Sequence, residues 1–213
     1  VDKKEASKYF KMAADNDSVD SMFQYGWMLS RGDGIEIDKT KACEYFKLAA
    51  DKGHVKSMFN YGWMLDNDKY IKTNKKEASK YYKLAADKCH IKAMYNYALM
   101  LRKGDGIQTN KKEACKYFKF AADKGDVDSM YNYACMIDSG DGVIVNKEEA
   151  SRYYKMAADK GHIKAMFNYG YMLDNGDGIP VNSEKAAQYY KMAADKGNTK
   201  AMLNYGVLLF RGE

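Results

Sequence analysis

The sequence predicts an all-α solenoid made of one 36-residue helix pair written six times, and three observations predict it. Alanine pairs recur at Ala13/Ala14, Ala49/Ala50, Ala85/Ala86, Ala121/Ala122, Ala157/Ala158 and Ala193/Ala194, always 36 residues apart. Met22, Met58, Met94, Met130, Met166 and Met202 keep that spacing, as do Tyr25, Tyr61, Tyr97, Tyr133, Tyr169 and Tyr205. Each unit also holds two runs of helical periodicity joined by short turns. A fixed period of this length marks an array whose units bury their apolar faces by stacking on one another. The units run 1–36, 37–72, 73–108, 109–144, 145–180 and 181–213. Binding along an extended surface is the expected work of such a chain.

The first helix of a unit is exemplified by NKKEASKYYKLAA at residues 74–86. Asp2, Asp38, Asn74, Asn110, Asn146 and Asn182 are expected N-caps, because a short side-chain oxygen can accept an orphan N–H of the first turn. Glu5, Glu77, Glu113 and Glu149, three residues on, would complete a capping box. Ala78, Tyr81, Tyr82 and Ala85 form the buried stripe. Gly53, Gly125, Gly161 and Gly197 then supply a left-handed C-cap, for which Asp17 and strained Cys89 substitute. Glu5/Lys8, Glu77/Lys80, Glu113/Lys116 and Glu149/Arg152 are spaced for exposed i,i+3 ion pairs, which leaves this face a solvated one.

The second helix, around residues 92–101, starts at Ser18, Asp126 or Asn198, or at His54, His90 or His162. A metal site on the histidines is disfavoured, since successive units are expected roughly 16–20 Å apart, about two interhelical spacings. Met94, Tyr97, Ala98 and Leu101 are its core stripe. A second face is just as regular. Phe23, Phe59, Tyr95, Tyr131 and Phe167 give an aromatic row; Asn60, Asn96, Asn132, Asn168 and Asn204 give an amide row; Trp27, Trp63 and Tyr171 add large rings. Interhelix packing would explain the rings. The amides favour a partner, because an extended peptide backbone matches their donors and acceptors. Lys56, Lys92 and Lys164 stand beside the rings, so the expected ligand is an acidic, partly apolar protein or peptide segment.

Between units runs a Gly-Asp-Gly loop, as at residues 104–106, flanked by helices on both sides and so lacking the strand that precedes a phosphate loop. One loop, residues 67–71, lacks both glycines. Arg31-Gly32-Asp33 reads as a product of this loop rather than as an adhesion signal.

Composition sets the outer limits. A 46% hydrophobic chain with 19 Tyr and 14 Met can fill a continuous core, and a net charge of +6 is modest for 213 residues. No run approaches the roughly 18 apolar residues of a membrane span. Four cysteines, Cys43 and Cys115 at one repeat position and Cys89 and Cys135 at two others, form no paired framework and suggest reduced thiols and an intracellular compartment. The chain begins at Val1 and stops inside a loop at Glu213, so a longer parent protein is expected.

The helix-loop-helix text MFNYGYMLDNGDGI followed by NKKEASKYYKLAADKC-type helices resembles the Sel-one-like repeat, a relative of the tetratricopeptide repeat. The resemblance covers the whole chain and rests on Gly26, Gly62, Gly170 and Gly206, the loop glycines and the Ala, Tyr and Ala-Ala positions. It departs at Tyr25 and its equivalents, where Leu is usual, at Leu29 and its equivalents, where Tyr is common, and at Ala98 and Ala134 in place of Gly. It implies a right-handed superhelix, a concave face lined by the Met-bearing helices, and adaptor work with no catalytic residues, cofactor or metal. A helical-repeat RNA binder is the alternative, disfavoured by an amide row that hardly varies where such readers change residues from unit to unit.

Overall fold

The computed structural model describes residues 2–212, which form twelve α-helices and no strand. The first helices of the units are α1 (Lys3–Asp15), α3 (Lys39–Asp51), α5 (Lys75–Asp87), α7 (Lys111–Asp123), α9 (Lys147–Asp159) and α11 (Ser183–Ala194). The second helices are α2 (Val19–Arg31), α4 (Val55–Asn67), α6 (Ile91–Lys103), α8 (Val127–Ser139), α10 (Ile163–Asn175) and α12 (Thr199–Arg211). The result is an all-α solenoid of helix pairs. It divides into two compact halves, Val1–Asn110 and Lys111–Glu213.

The caps form as their chemistry dictates. Side-chain oxygens of Asp2, Asp38, Asn74, Asn146 and Asn182 accept the N–H three residues on at 2.9–3.1 Å. The reciprocal half of the capping box is not used. The N–H groups of Asn74 and Asn146 instead donate to the carbonyls of Leu65 and Ile137, 3.0 and 2.8 Å away on the preceding second helix. Glu77 and Glu149 are thereby released to accept the hydroxyls of Tyr61 and Tyr133 at 2.8 and 3.0 Å. Glu149 also turns to Lys119 of the preceding unit, 3.0 Å away, while still feeling the charge of Arg152, its expected i,i+3 partner. The ion pairs within first helices lie a turn later, as in Lys47–Asp51 and Lys155–Asp159.

Both core stripes are buried as the periodicity requires: Ala78, Tyr81, Tyr82 and Ala85 on α5, and Met94, Tyr97, Ala98 and Leu101 on α6. Met28, Met64, Met100, Met136 and Met172 join them. The closest approach is between a second helix and the first helix that follows it. A Cβ on Gly26, Gly62 or Gly170 would stand 3.0–3.2 Å from the ring of Phe46, Tyr82 or Tyr190. Consecutive first helices also touch directly: Tyr45 donates to Asp15 at 3.3 Å, Tyr153 to Asp123 at 2.5 Å, and Tyr189 to Asp159 at 2.8 Å. Consecutive units are therefore linked by side-chain hydrogen bonds as well as by the packing of second on first helices.

In the loops the first glycine takes the left-handed C-cap, with φ between 70° and 75° at Gly32, Gly104, Gly140 and Gly176. The second is demanded by proximity. A Cβ at Gly34, Gly106, Gly142 or Gly178 would overlap Lys3, Lys75, Lys111 or Lys147, the first residue of the unit's own first helix. The loop aspartates meet the same lysines, as in Lys111–Asp141 at 2.7 Å and Lys147–Asp177 at 2.9 Å. The glycine-free loop keeps this clamp by a different residue: Asp68 lies 3.8 Å from Lys39. Arg31-Gly32-Asp33 is accounted for in the same way, with Gly32 as C-cap and Asp33 paired to Lys3 at 2.9 Å.

Met94, only 6% exposed, should cost about 2–5 kcal/mol on truncation to Ala through the cavity left behind, and Lys116→Ala less than about 1 kcal/mol, both read in urea unfolding. Gly106→Ala should destabilise more than Gly125→Ala. Both have positive φ, but only Gly106 meets a neighbouring helix.

Candidate binding faces on the second helices

In the N-terminal half the aromatic row is half-buried and supports the stack from its side. Phe23 lies 4.8 Å from the ring of His54 and 6.0 Å from Phe46, and Phe59 stacks on His90 at 4.6 Å and leans on Tyr82 at 5.9 Å. Tyr95 is likewise half-buried. Trp27 and Trp63 are not absorbed in this way: they keep 38% and 43% of their surface exposed. Together with Ser30, Lys39, Phe46, Asn60, Met64 and Asp68 they line a hollow of about 100 Å³. The Arg31 guanidinium sits 5.2 Å over the Trp27 ring. Lys56 and Lys92 are exposed.

In the C-terminal half Tyr131 stacks on His162 at 4.4 Å and Phe167 contacts Tyr190 at 5.9 Å. A larger hollow, about 370 Å³, is lined by Tyr131, Lys164, Phe167, Asn168, Gly197, Asn198, Thr199 and Lys200. Tyr171 is exposed beside Phe167, the ring centroids 6.5 Å apart. Of the predicted residues, Trp27, Asn60 and Trp63 line the first hollow and Tyr131, Lys164, Phe167 and Asn168 the second, while Phe23, Lys56, Phe59, Lys92, Tyr95, Asn96, Asn132 and Tyr171 line neither.

The amide row divides into two kinds, a distinction the repeat alone does not announce. The amides of Asn96, Asn168 and Asn204 face the hydroxyls of Tyr82, Tyr154 and Tyr190 and oppose part of the rise that burial gives those phenols. Those hydroxyls also approach Asp66, Asp138 and Asp174 at 3.2–3.4 Å. Asn132 donates back to the Asp128 carbonyl at 2.8 Å. In the second unit the ring is Phe46, which has no hydroxyl, and the residue in the place of the aspartate is Ser30. Asn60 is left half-exposed, its amide making no side-chain hydrogen bond among the described residues, on the wall of the two-tryptophan hollow. Tyr at this position goes with Asp sixteen residues earlier, whereas Phe46 and Phe118 go with Ser30 and Arg102, and that is the sequence signal that could have separated these amides.

The histidines are structural. Nδ1 of His54, His90 and His162 accepts the N–H of Ser57, Ala93 and Ala165 at 3.1–3.2 Å, capping α4, α6 and α10. Burial holds all three below the ordinary histidine pKa. Among the described residues no group of three His, Cys, Asp or Glu side chains converges as a metal site. Cys43 and Cys115 are buried free thiols that burial pushes up to about 11, which suits packing and not nucleophilic chemistry. No helix among the described residues is long and apolar enough to cross a membrane.

The Sel1 repeat model matches at residues 1–18, 19–54, 55–88, 91–126, 127–162 and 163–198. The chain belongs to the Sel1 repeat family. Each full match joins a second helix to the first helix that follows it, half a unit out of step with the 1–36 numbering, and thus frames the glycine-on-ring contact. The fold is similar to that of c5321, a protective antigen of uropathogenic Escherichia coli with an SLR fold, at TM-score 0.94 and 24% identity over 99% of this chain and 45% of that one. The chain therefore spans under half of that relative. A Sel1 repeat protein of Oxalobacter formigenes is similar at TM-score 0.79 and 27% identity, over 96% of this chain and 87% of that one. A Klebsiella pneumoniae sel1 repeat protein follows at TM-score 0.53 and 17% identity, covering 95% of this chain and 98% of that one. No curated protein matches. Sel1 repeat proteins generally act as non-catalytic scaffolds that bind other proteins. The tyrosines that stand where this family usually has Leu have a physical reason: Tyr25, Tyr61, Tyr133 and Tyr169 meet Tyr45, Tyr81, Tyr153 and Tyr189 edge-on at 4.7–4.9 Å.

The caps also set a pH dependence. Each histidine must be neutral at Nδ1 to accept its bond, and its folded pKa is depressed. The stabilisation is therefore complete above the unfolded value, about 6.5, and is lost as pH falls below it, because the unfolded chain takes the proton first. Thermal midpoints should drop between pH 7.5 and 5, and His90→Asn, which copies the cap at Asn198, should lessen the drop.

Proposed function

We propose that the chain is a non-enzymatic scaffold that holds an acidic, partly apolar segment of a partner protein against the second-helix face of its repeats. The observation that carries this is Asn60: a half-exposed amide without a side-chain partner, set between Trp27 and Trp63 on the wall of a hollow. An amide flanked by rings can clamp a peptide backbone while an apolar side chain fills the space between them. Exposed Lys56 and Lys92 supply the cationic margin, and in the other half Lys164 and Lys200 stand at a hollow bordered by Tyr131 and Phe167. The rings already engaged with His54, His90 and His162 act as the floor, so the contacts that discriminate partners fall to Asn60, Trp27, Trp63 and Tyr171.

A photo-crosslinking residue placed at position 63 or 171 of the full chain, used in an extract of the source cells, should capture one and the same polypeptide. The same residue at position 103, on the loop side, should not. Asn60→Ala combined with Trp63→Ala should weaken that capture by about 30-fold or more, the usual effect of losing a central anchor, while leaving the helical circular dichroism unchanged. Capture that is equal from positions 63 and 103 would contradict the assignment.

A further inference from the structure

A second regular surface lies on the first helices, whose outer face reads in sequence as a solvated one. Met12, Leu48, Leu84, Phe120, Met156 and Met192 occupy one repeat position in all six units and are all exposed. In the C-terminal half the exposures are 60% for Phe120, 39% for Met156 and 42% for Met192. Four residues before each, on the same helix face, stand Lys116, Arg152 and Gln188, and four residues after, in the turns just past the helix ends, stand Lys124, Lys160 and Lys196. The five cations are exposed, and of them only Arg152 acts on a neighbouring carboxylate, that of Glu149, whereas Lys119, Lys155 and Lys191 pair with Asp123, Asp159 and Asp195.

We infer that α7, α9 and α11 form a docking strip for an acidic amphipathic helix of a partner protein. At 1.5 Å per residue Lys116 and Arg152 lie about 6 Å before the apolar row, and Lys124, Lys160 and Lys196 follow it in the turns just past the helix ends. The Tyr153–Asp123 and Tyr189–Asp159 bonds join neighbouring helices, so the three apolar residues belong to one continuous surface of α7, α9 and α11. The complementary ligand carries an apolar stripe with carboxylates along both flanks, and its charge opposes every cation of the two rows. An anionic bilayer fits less well: a plane would also cover the helix starts, where Glu148 and Glu184 are exposed. This surface is independent of the second-helix face, so either assignment can fail alone.

The probe is a fluorescein-labelled 14-residue peptide with leucines along one helical face and glutamates on both flanks, titrated against the full chain by fluorescence anisotropy. Binding should occur at low salt, weaken as salt rises, and be absent for a twin with lysine at every glutamate. Lys124→Glu with Lys160→Glu should lower affinity about tenfold or more, as should Phe120→Ser with Met156→Ser. Asn60→Ala with Trp63→Ala should leave it within about twofold. Equal binding by the lysine twin, indifference to the charge-reversal pair, or loss through Asn60 and Trp63 would overturn the strip. So would co-sedimentation with phosphatidylserine vesicles that depends on Lys124 and Lys160 when the peptide itself does not bind.

Discussion

The distance between a second helix and the first helix that follows it controls the remaining contacts. Gly26, Gly62 and Gly170 let the ring of Phe46, Tyr82 or Tyr190 lie against helix backbone, with the Ala42, Ala78 and Ala186 carbonyls beside the same spot. Alanine at Ala98 and Ala134 is the largest residue found there. Close approach brings the next unit's histidine onto the aromatic row, sets Tyr61 and Tyr133 within reach of Glu77 and Glu149, and lets Tyr153 reach Asp123. Hydrophobic burial provides the driving force, and the hydrogen bonds of the tyrosine hydroxyls select the register, because a half-buried phenol without a partner would be costly.

The same constraint makes the binding faces. With the rings of the second helices pressed against the following unit, their outer neighbours at positions 27, 63 and 171 remain exposed, Trp27 and Trp63 on the wall of a hollow. Where Phe46 replaces tyrosine, Asn60 is left half-exposed beside Trp27 and Trp63; where Phe118 does, Asn132 turns back to the Asp128 carbonyl.

Local chemistry was legible from sequence because it repeats: the N-caps at Asp2 through Asn182, the positive-φ positions including Asp17 and Cys89, and the stripes through Ala78, Tyr82, Met94 and Leu101. Features set by two helices at once were not. The bond between Tyr81 and Asp51, partners on consecutive first helices, joins residues 30 apart that share no local pattern. Glu77 and Glu149 satisfied the capping-box spacing, yet the cap N–H had a better partner in a carbonyl of the preceding helix. The outer row from Met12 to Met192 was hidden by the lysines around it, since charged residues dominate that face in number while the apolar position recurs once per helix. The hollows needed exposures as well as periodicity: Trp63 and Phe59 lie four residues apart on one helix, and only the structure tells that one is open and the other pressed against His90.

The central claim is that the second-helix glycine sets the stacking distance, and Gly62→Val compared with Gly206→Val in urea unfolding tests it most directly. Both glycines lie inside second helices, but Gly62 faces the Tyr82 ring at 3.1 Å whereas Gly206 has nothing within 4 Å. Overpacking should make Gly62→Val cost about 1–3 kcal/mol, while Gly206→Val should be neutral or slightly stabilising, valine being the better helix former. Equal changes at the two positions would contradict the account.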